Sequence, residues 1–218
     1  EISCSLVGSE MCIRDSPQTV NDEVLKTIGR KHTAQQFFDA FELARKCSFD
    51  NINTDLIAGL PTDTPESFKN SLDSIVRLNA ECITVHTLCM KRASRLTTEG
   101  VTLDLQQARD AREMLAYTQN ILGQNEYIPY YMYRQSRMVG NLENVGWSKR
   151  GFESLYNVYV MDETHTILAC GSGGVTKLKR NNPDYLERIF NFKYPYEYID
   201  RFDELIQRKS GIMQFYGQ

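Results

Sequence analysis

The stretch NINTDLIAGLP, residues 51–61, decides the fold. Its apolar residues predict a short buried strand over residues 52–58, which ends in a Gly-Leu-Pro turn. Asp55 stands inside that strand, although Asp is a poor strand residue and is costly to bury without partners. Two interpretations of the pattern are open: Asp55 belongs to a functional site, or its carboxylate caps a neighbouring turn.

Helices and a second strand surround this stretch. Asn21 and Thr33 are predicted N-caps of two helices before the strand, and Thr64 is the predicted N-cap of a helix after it. The sequence CITVHTL, residues 82–88, predicts the next strand. Helices alternating with strands over short connections favour βαβ units and a parallel sheet.

The expected ligand side of this sheet is set by its topology. Ligands bind at the carboxyl ends of parallel strands, so the loops after residues 58 and 88 are expected on one face, with Asp55 near it. The loop after residue 88 holds a small basic group, formed by Lys91, Arg92 and Arg95. That group would suit an acidic ligand, and an ordinary solvated loop is the alternative.

The rest of the chain has a different composition. A long helix is predicted over about 105–122, with Gly123 at its end, followed by a tyrosine-rich strand over 127–135. Tyrosines at alternate positions suggest one packed face and one face towards a cavity. Residues 154–170 predict a hairpin, and the adjoining GSGG suits a close approach of backbone N–H groups to a ligand. A terminal helix is predicted near 197–209.

Composition narrows the class of protein. The chain has 218 residues, 41% of them hydrophobic, and a net charge of −3, which suits one large domain, with or without an appendage. No basic stripe indicates nucleic acid, no apolar run is long enough for a membrane span, and no segment resembles a secretory signal. We therefore expect a soluble cytoplasmic protein with no nucleic-acid or membrane partner, and the sequence leaves its oligomeric state open.

The cysteines and histidines predict no metal site. The six cysteines lie too far apart for a disulfide framework or a paired CxxC zinc site, and we expect them to be reduced and mostly structural. The three histidines are isolated in the sequence and form no HxH or HxxxH pair.

Residues 1–16 differ in pattern from the rest of the chain. They show no sustained periodicity, and GSEMCIRDS looks like a non-native junction. We expect a non-native or disordered segment, and the fold prediction begins after it.

Several motifs together resemble one enzyme family. PQT with IGRKHT, then NINTDLIAGLP, TVHTL and the tail with ENVG and GSGG are similar to the oxygen-independent coproporphyrinogen III oxidase (coproporphyrinogen dehydrogenase) family of radical S-adenosylmethionine enzymes. The resemblance covers about residues 17–209. It implies an α/β fold: the later part of a partial (β/α) barrel over 17–123, followed by a C-terminal α+β extension over 124–218.

The resemblance also implies cofactor-binding positions. Gln18, Arg30 and Asp55 stand where the family lines its S-adenosylmethionine pocket, and their chemistry suits a polar edge, the methionyl carboxylate and the ribose hydroxyls. By alignment alone, Cys89 offers a backbone contact and Val175 an apolar flank. No catalytic residue is assigned.

The implied reaction belongs to haem biosynthesis. A reduced [4Fe–4S] cluster cleaves S-adenosylmethionine to a 5′-deoxyadenosyl radical, which drives the oxidative decarboxylation of two propionates of coproporphyrinogen III to vinyl groups. The implied partners are the porphyrinogen and an electron donor. The CxxxCxxC motif that holds the cluster is absent, so we expect a fragment that is inactive alone. One alternative is a degenerate relative of the family without the cluster. Another is a haem-binding chaperone-like relative, in which the tyrosines near 127–133 with His165 or His86 would serve haem, and a third is a non-catalytic module that binds a small molecule or a partner.

Overall fold

A computed structural model describes residues 2–7, 10–89, 105–134, 138–181 and 184–217, with side chains from residue 14 onward. The chain divides into two compact units, residues 1–155 and residues 156–218. None of the described helices combines the length and the apolar character needed to cross a membrane.

The first unit is a six-stranded sheet with helices. Its strands are β1 (Ile2–Val7), β2 (Glu10–Gln18), β3 (Ile52–Ala58), β4 (Cys82–Thr87), β5 (Ile128–Tyr133) and β6 (Asn144–Ser148). Its helices are α1 (Asp22–Thr27), α2 (Ala34–Lys46), α3 (Pro65–Arg77) and α4 (Leu105–Gln124), with a short 3-10 turn at Val139–Asn141.

The sheet has the order β1-β2-β3-β4-β6-β5. β2, β3 and β4 are parallel, which confirms the predicted βαβ units, while β1 and the β5–β6 pair add antiparallel strands at the two edges. β6 pairs with β4, and the first compact unit extends to residue 155. The division at residue 123 that the family resemblance implied stays a prediction.

The predicted caps explain where the helices begin. The Asn21 side chain accepts hydrogen bonds from two backbone N–H groups of the first turn of α1, and Thr64 accepts one from Ser67 at the start of α3. Thr33 forms a capping box with Gln36 at the start of α2. Each cap satisfies a donor that the helix leaves free and stabilises the fold by about 1 kcal/mol.

The two faces of the sheet differ in chemistry because side chains alternate along a strand. Ile52, Leu56, Ile83 and Val85 point to one face and are fully buried against the apolar side of the helices. The residues that alternate with them along β3 and β4 point to the other face, which we call the polar face. It carries Asn53, Asp55, Thr84 and His86.

Strand β2 runs through residue 16, within the segment predicted to be non-native or disordered. Asp15 of this strand pairs in register with Thr54 and so lies on the helix-covered face. Its side chain is buried, and Oδ2 has no hydrogen-bond partner among the described residues. Burial, with a smaller contribution from Asp55, raises the pKa of Asp15 to about 6. A carboxylate is thus poorly suited to this position, and the non-native origin of the segment stays a prediction.

The second unit contains α5 (Leu155–Asp162), the hairpin strands β7 (Val175–Asn181) and β8 (Asp184–Phe190), and the helices α6 (Pro195–Asp200), α7 (Phe202–Lys209) and α8 (Gly211–Tyr216). The prediction of a hairpin over 154–170 is wrong. Its first half is helix α5, and Ile167 of its second half forms a bridge with Lys177 of β7 instead. The local β propensity of residues 155–162 therefore did not decide their structure, because strand propensity depends strongly on tertiary context.

Candidate cofactor-binding site

Asp55 is the centre of the polar face. Its side chain is 8% exposed, and Oδ2 accepts a hydrogen bond of 2.7 Å from the Ser16 hydroxyl while Oδ1 accepts one of 2.8 Å from the Asn53 amide. Two basic groups flank it: Arg14 Nε lies 3.7 Å from Oδ2, and His86 Nε2 lies 3.9 Å from Oδ1. Apart from Asn53, these partners belong to neighbouring strands, so the site interpretation of Asp55 is favoured over the turn-capping one.

These neighbours keep Asp55 ionised. Burial by itself would raise the pKa of the carboxyl group, but His86, Arg14 and the hydroxyl of Ser16 outweigh burial and lower that pKa to about 2. A carboxylate has about four acceptor positions, and the two hydrogen bonds leave room for further donors. A ligand with hydroxyl groups is therefore suited to Asp55.

Two tyrosines extend the polar face, as their alternate spacing in the sequence suggested. The Tyr131 hydroxyl lies 3.2 Å from Thr84 Oγ1, and the Tyr133 hydroxyl lies 3.3 Å from His86 Nδ1. Burial raises the pKa of Tyr131 to about 12 and also raises that of Tyr133, so both hydroxyls are neutral and able to donate or accept a hydrogen bond.

Gly146 makes this arrangement possible. A Cβ atom at position 146 would lie 1.9 Å from Cε1 of Tyr131, a distance that no real contact allows. The absence of a side chain lets the tyrosine ring lie directly over strand β6 and reach Thr84.

Gln18 is the last residue of β2 and pairs in register with Leu56, next to Asp55. Its side chain is buried, and its amide donates a 3.2 Å hydrogen bond to the carbonyl of Ser16. The backbone of Gln18 has φ 70°, a left-handed conformation that a side chain other than glycine adopts at a cost. The structure therefore places Gln18 on β2 beside the part of β3 that holds Asp55.

Arg30 lies between α1 and α2, in the connection that follows the carboxyl end of β2. The chain leaves β2 there, forms α1, and begins α2, which returns to the start of β3. The Arg30 side chain is exposed and makes no hydrogen bond or ion pair with a described residue, while its backbone N–H donates to the carbonyl of Leu25. Its guanidinium is thus available to an anionic ligand, although no contact joins it to Asp55.

The two positions implied by alignment alone have different outcomes. Cys89 follows β4, is half-buried and forms an isolated bridge with Met138, so it lies at the carboxyl ends of the strands. Val175 opens β7 in the second unit and is half-buried there, which leaves its relation to Asp55 a prediction.

The prediction for the GSGG backbone is wrong at three of its four residues. Gly171 N–H donates to the Tyr198 hydroxyl, Gly173 N–H to the Phe192 carbonyl, and Gly174 N–H to the Gly171 carbonyl. These donors are therefore used within the second unit. The predicted basic group of Lys91, Arg92 and Arg95 lies outside the described residues.

The described residues fit S-adenosylmethionine better than an iron–sulfur cluster. An ionised carboxylate, a primary amide and a free guanidinium suit the hydroxyl, polar and carboxylate groups of the cofactor. Within the described ranges no group of three or more His, Cys, Asp or Glu residues is placed to hold a metal ion. Cys82 is buried in the sheet, where its thiol contacts the carbonyl of Phe152.

Sequence reasoning missed Asn53, Thr84 and His86 as parts of this site. A signal for them was present, because residues two positions from a functional strand residue share its face, and register then adds the neighbouring strand. The register itself, which pairs Asp55 with Thr84, is set by the packed sheet and was not visible in the sequence.

Comparisons with known proteins bear on the family and the fold of the chain. The family description "Radical SAM superfamily" matches residues 15–75. The oxygen-independent coproporphyrinogen-III oxidase-like protein HemZ of Bacillus subtilis is 37% identical over 199 residues, which is 91% of this chain and 40% of HemZ. The heme chaperone HemW of Lactococcus lactis is 32% identical over 174 residues, or 76% of this chain and 41% of HemW.

A solved structure shares the fold. Coproporphyrinogen III oxidase (HemN) from Escherichia coli, described as a radical SAM enzyme, aligns with a TM-score of 0.61 and 19% identity over 88% of this chain and 43% of HemN. The match supports the predicted α/β radical SAM fold. The chain spans about 40% of the length of the curated relatives that it matches most extensively.

Proposed function

The chain belongs to the radical SAM superfamily, in the family of oxygen-independent coproporphyrinogen III oxidases and their relatives, and we propose that its polar face binds S-adenosylmethionine for the oxidative decarboxylation of a porphyrinogen. One observation carries the proposal: Asp55 is a buried, ionised carboxylate on the polar face of the parallel strands, and it accepts two hydrogen bonds from described residues where a carboxylate can accept about four. Ligand sites of α/β folds lie at the carboxyl ends of the strands. Gln18 ends β2 there and Arg30 follows it, while Asp55 stands in the middle of β3.

The three residues have separate tasks in this proposal. Asp55 accepts hydrogen bonds from the ribose hydroxyls, Arg30 pairs with the methionyl carboxylate, and Gln18 meets a polar edge of the cofactor. Asn53 and His86 hold Asp55 in position and keep it ionised, which fixes the ribose without a cost of reorganisation.

When bound, the cofactor supplies radical chemistry, and the protein's part is to orient it and to exclude competing reactions. The described residues do not fit the cluster that this chemistry requires, so we derive no step through it. Decarboxylation of coproporphyrinogen III in haem biosynthesis, with an external electron donor and in the cytoplasm, is proposed by similarity to the relatives.

Calorimetric titration of the purified chain with S-adenosylmethionine tests the assignment. We expect weak saturable binding, and we expect Asp55→Asn to raise the dissociation constant at least about tenfold, because a hydrogen bond to a charged group contributes about 1.5–3 kcal/mol. Asp39→Asn is the matched control, since Asp39 is exposed on α2 and accepts a hydrogen bond from Gln35 of the same helix. Binding that is unchanged by Asp55→Asn would remove Asp55 from the site.

A haem chaperone is the second candidate, and the similarity to HemW favours it. His86 lies on the polar face, where its Nδ1 is 3.3 Å from the Tyr133 hydroxyl. His165 lies in the second unit, where its ring centroid is 4.0 Å from that of Tyr159. Both imidazoles therefore have an aromatic neighbour. Haem titration followed by absorbance distinguishes the two functions. Tight stoichiometric binding that His86→Phe or His165→Phe abolishes would favour the chaperone over the oxidase.

A further inference from the structure

A groove on the helix-covered side of the first unit is lined by neither Asp55 nor its hydrogen-bond partners. It runs between α4 and the β5–β6 hairpin and consists of two adjoining cavities of about 340 Å³ and about 740 Å³. Four residues line both cavities: Gln119, Glu143, Val145 and Trp147. These volumes fall in the range of small-molecule sites, roughly 300–1,000 Å³.

The walls of the groove are mostly apolar. Val85 of β4, Leu115 of α4, and Val145 and Trp147 of β6 line it. Val145 and Trp147 alternate with Gly146, over which Tyr131 lies on the polar face, so they point to the opposite side of the sheet. This wall of the groove and Asp55 therefore lie on opposite faces of the sheet, although Tyr131 of the edge strand β5 also lines the larger cavity.

The groove carries one unpaired positive charge. Arg112 of α4 is exposed, and its guanidinium makes no ion pair or hydrogen bond with any residue that the structure describes. The other cation in the lining, Arg134, is neutralised by Glu143 at 2.5 Å. The free charge favours an anion, and guanidinium groups bind carboxylates through paired hydrogen bonds.

Trp147 adds an unmet donor. The residue is 7% exposed, and its buried indole Nε1 has no acceptor in the described part of the chain. A buried donor without a partner costs about 1–3 kcal/mol and calls for an explanation such as a missing ligand. Because this atom is enclosed by protein, a molecule in the groove contacts the indole ring and brings an acceptor to Nε1 only if the side chain shifts.

We infer that this groove binds a small organic acid, with an apolar body against Val145 and the Trp147 indole and a carboxylate on Arg112. The chemistry is shared by tetrapyrroles with propionate groups and by fatty acids. The inference goes beyond the proposed function, because it uses the face of the sheet opposite Asp55.

Trp147 allows a direct test, since it is the one tryptophan of the chain. The purified chain is titrated with coproporphyrin III, with decanoate and with uncharged decanol, while tryptophan fluorescence is followed. Free N-acetyltryptophanamide in the same solutions corrects for light absorbed by the porphyrin. We expect a saturable change with at least one acid and none with decanol, and the acid that binds more tightly identifies the source of the carboxylate.

Variants locate the site. Arg112→Gln is expected to weaken binding of the acid about tenfold by removing a charge-assisted pair. Arg109→Gln removes the same charge from the same helix at an exposed residue that does not line the groove, and should leave binding unchanged. Trp147→Phe keeps an aromatic ring without the N–H group, and calorimetry should show several-fold weaker binding.

Three results would overturn the inference: no saturable change with either acid up to millimolar concentration, equal binding of decanol, or full affinity in Arg112→Gln. Fluorescence that depends on protein concentration and not on ligand would also overturn it, because a second copy of the chain would then cover the groove. Failure of S-adenosylmethionine binding leaves this outcome untouched, as the two titrations involve different residues.

Discussion

Replacing Gly146 by Ala should destabilise the first unit by about 3 kcal/mol. The added Cβ would lie 1.9 Å from Cε1 of Tyr131 and 2.5 Å from two further ring atoms, so the ring must move. Forced repacking of this kind costs typically about 1–3 kcal/mol, and displacement of the ring also breaks the 3.2 Å contact with Thr84, which adds about 1 kcal/mol. Removing a glycine from a strand returns up to about 1 kcal/mol.

Urea unfolding followed by tryptophan fluorescence measures this change, because Trp147 is adjacent to the substitution. Gly123→Ala is the control: no atom lies within 4 Å of its added Cβ, and it stands inside α4, where Ala should stabilise the helix by up to about 1 kcal/mol.

A double variant separates the steric clash from other effects. If the ring is the obstacle, Gly146→Ala should cost much less in a Tyr131→Ala background, and the two changes should be strongly non-additive. A Gly146→Ala variant within about 0.5 kcal/mol of the original chain, or additive costs in the double variant, would refute the close packing of Tyr131 on β6 and with it the shape of the polar face.

Two further predictions concern ionisation. The folded-state pKa of Asp15 is raised from 3.8 to about 6, so its contribution to stability is full below pH 3.8 and is lost as pH rises through 6. Asp15→Val should therefore raise the free energy of unfolding at pH 7 by about 1–2 kcal/mol, after allowance for solvent screening. An unchanged free energy of unfolding would contradict the burial of that carboxyl group. The folded-state pKa of Asp55 is lowered from 3.8 to about 2, so its contribution to stability is present above pH 3.8 and is lost as pH falls through 2. The original chain should therefore lose about 2 kcal/mol of its stability advantage over Asp55→Asn between pH 5 and pH 2. Urea unfolding of both proteins at the two pH values measures this loss.

Local signals predicted the elements of the first unit well. Asn21, Thr33 and Thr64 cap helices where expected, and the strands at 52–58 and 82–87 are present, since caps and apolar periodicity act over a few residues. Prediction failed at residues 155–162, which have β-like composition but form a helix, while Ile167 bridges to Lys177 of β7. Strand propensity depends on the pairing partners and burial that the tertiary structure supplies.

The sequence by itself determined the class of the protein and marked Asp55, because a carboxylate inside an apolar strand is a local exception to ordinary patterning. Its resemblance to one family added Gln18 and Arg30. Only the tertiary structure decided that Asn53, Thr84 and His86 share the face of Asp55, that Tyr131 reaches that face over Gly146, and that Trp147 lies on the opposite side. The reason is physical: alternation along a strand is local, whereas register and the identity of the neighbouring strand depend on residues far apart in the chain.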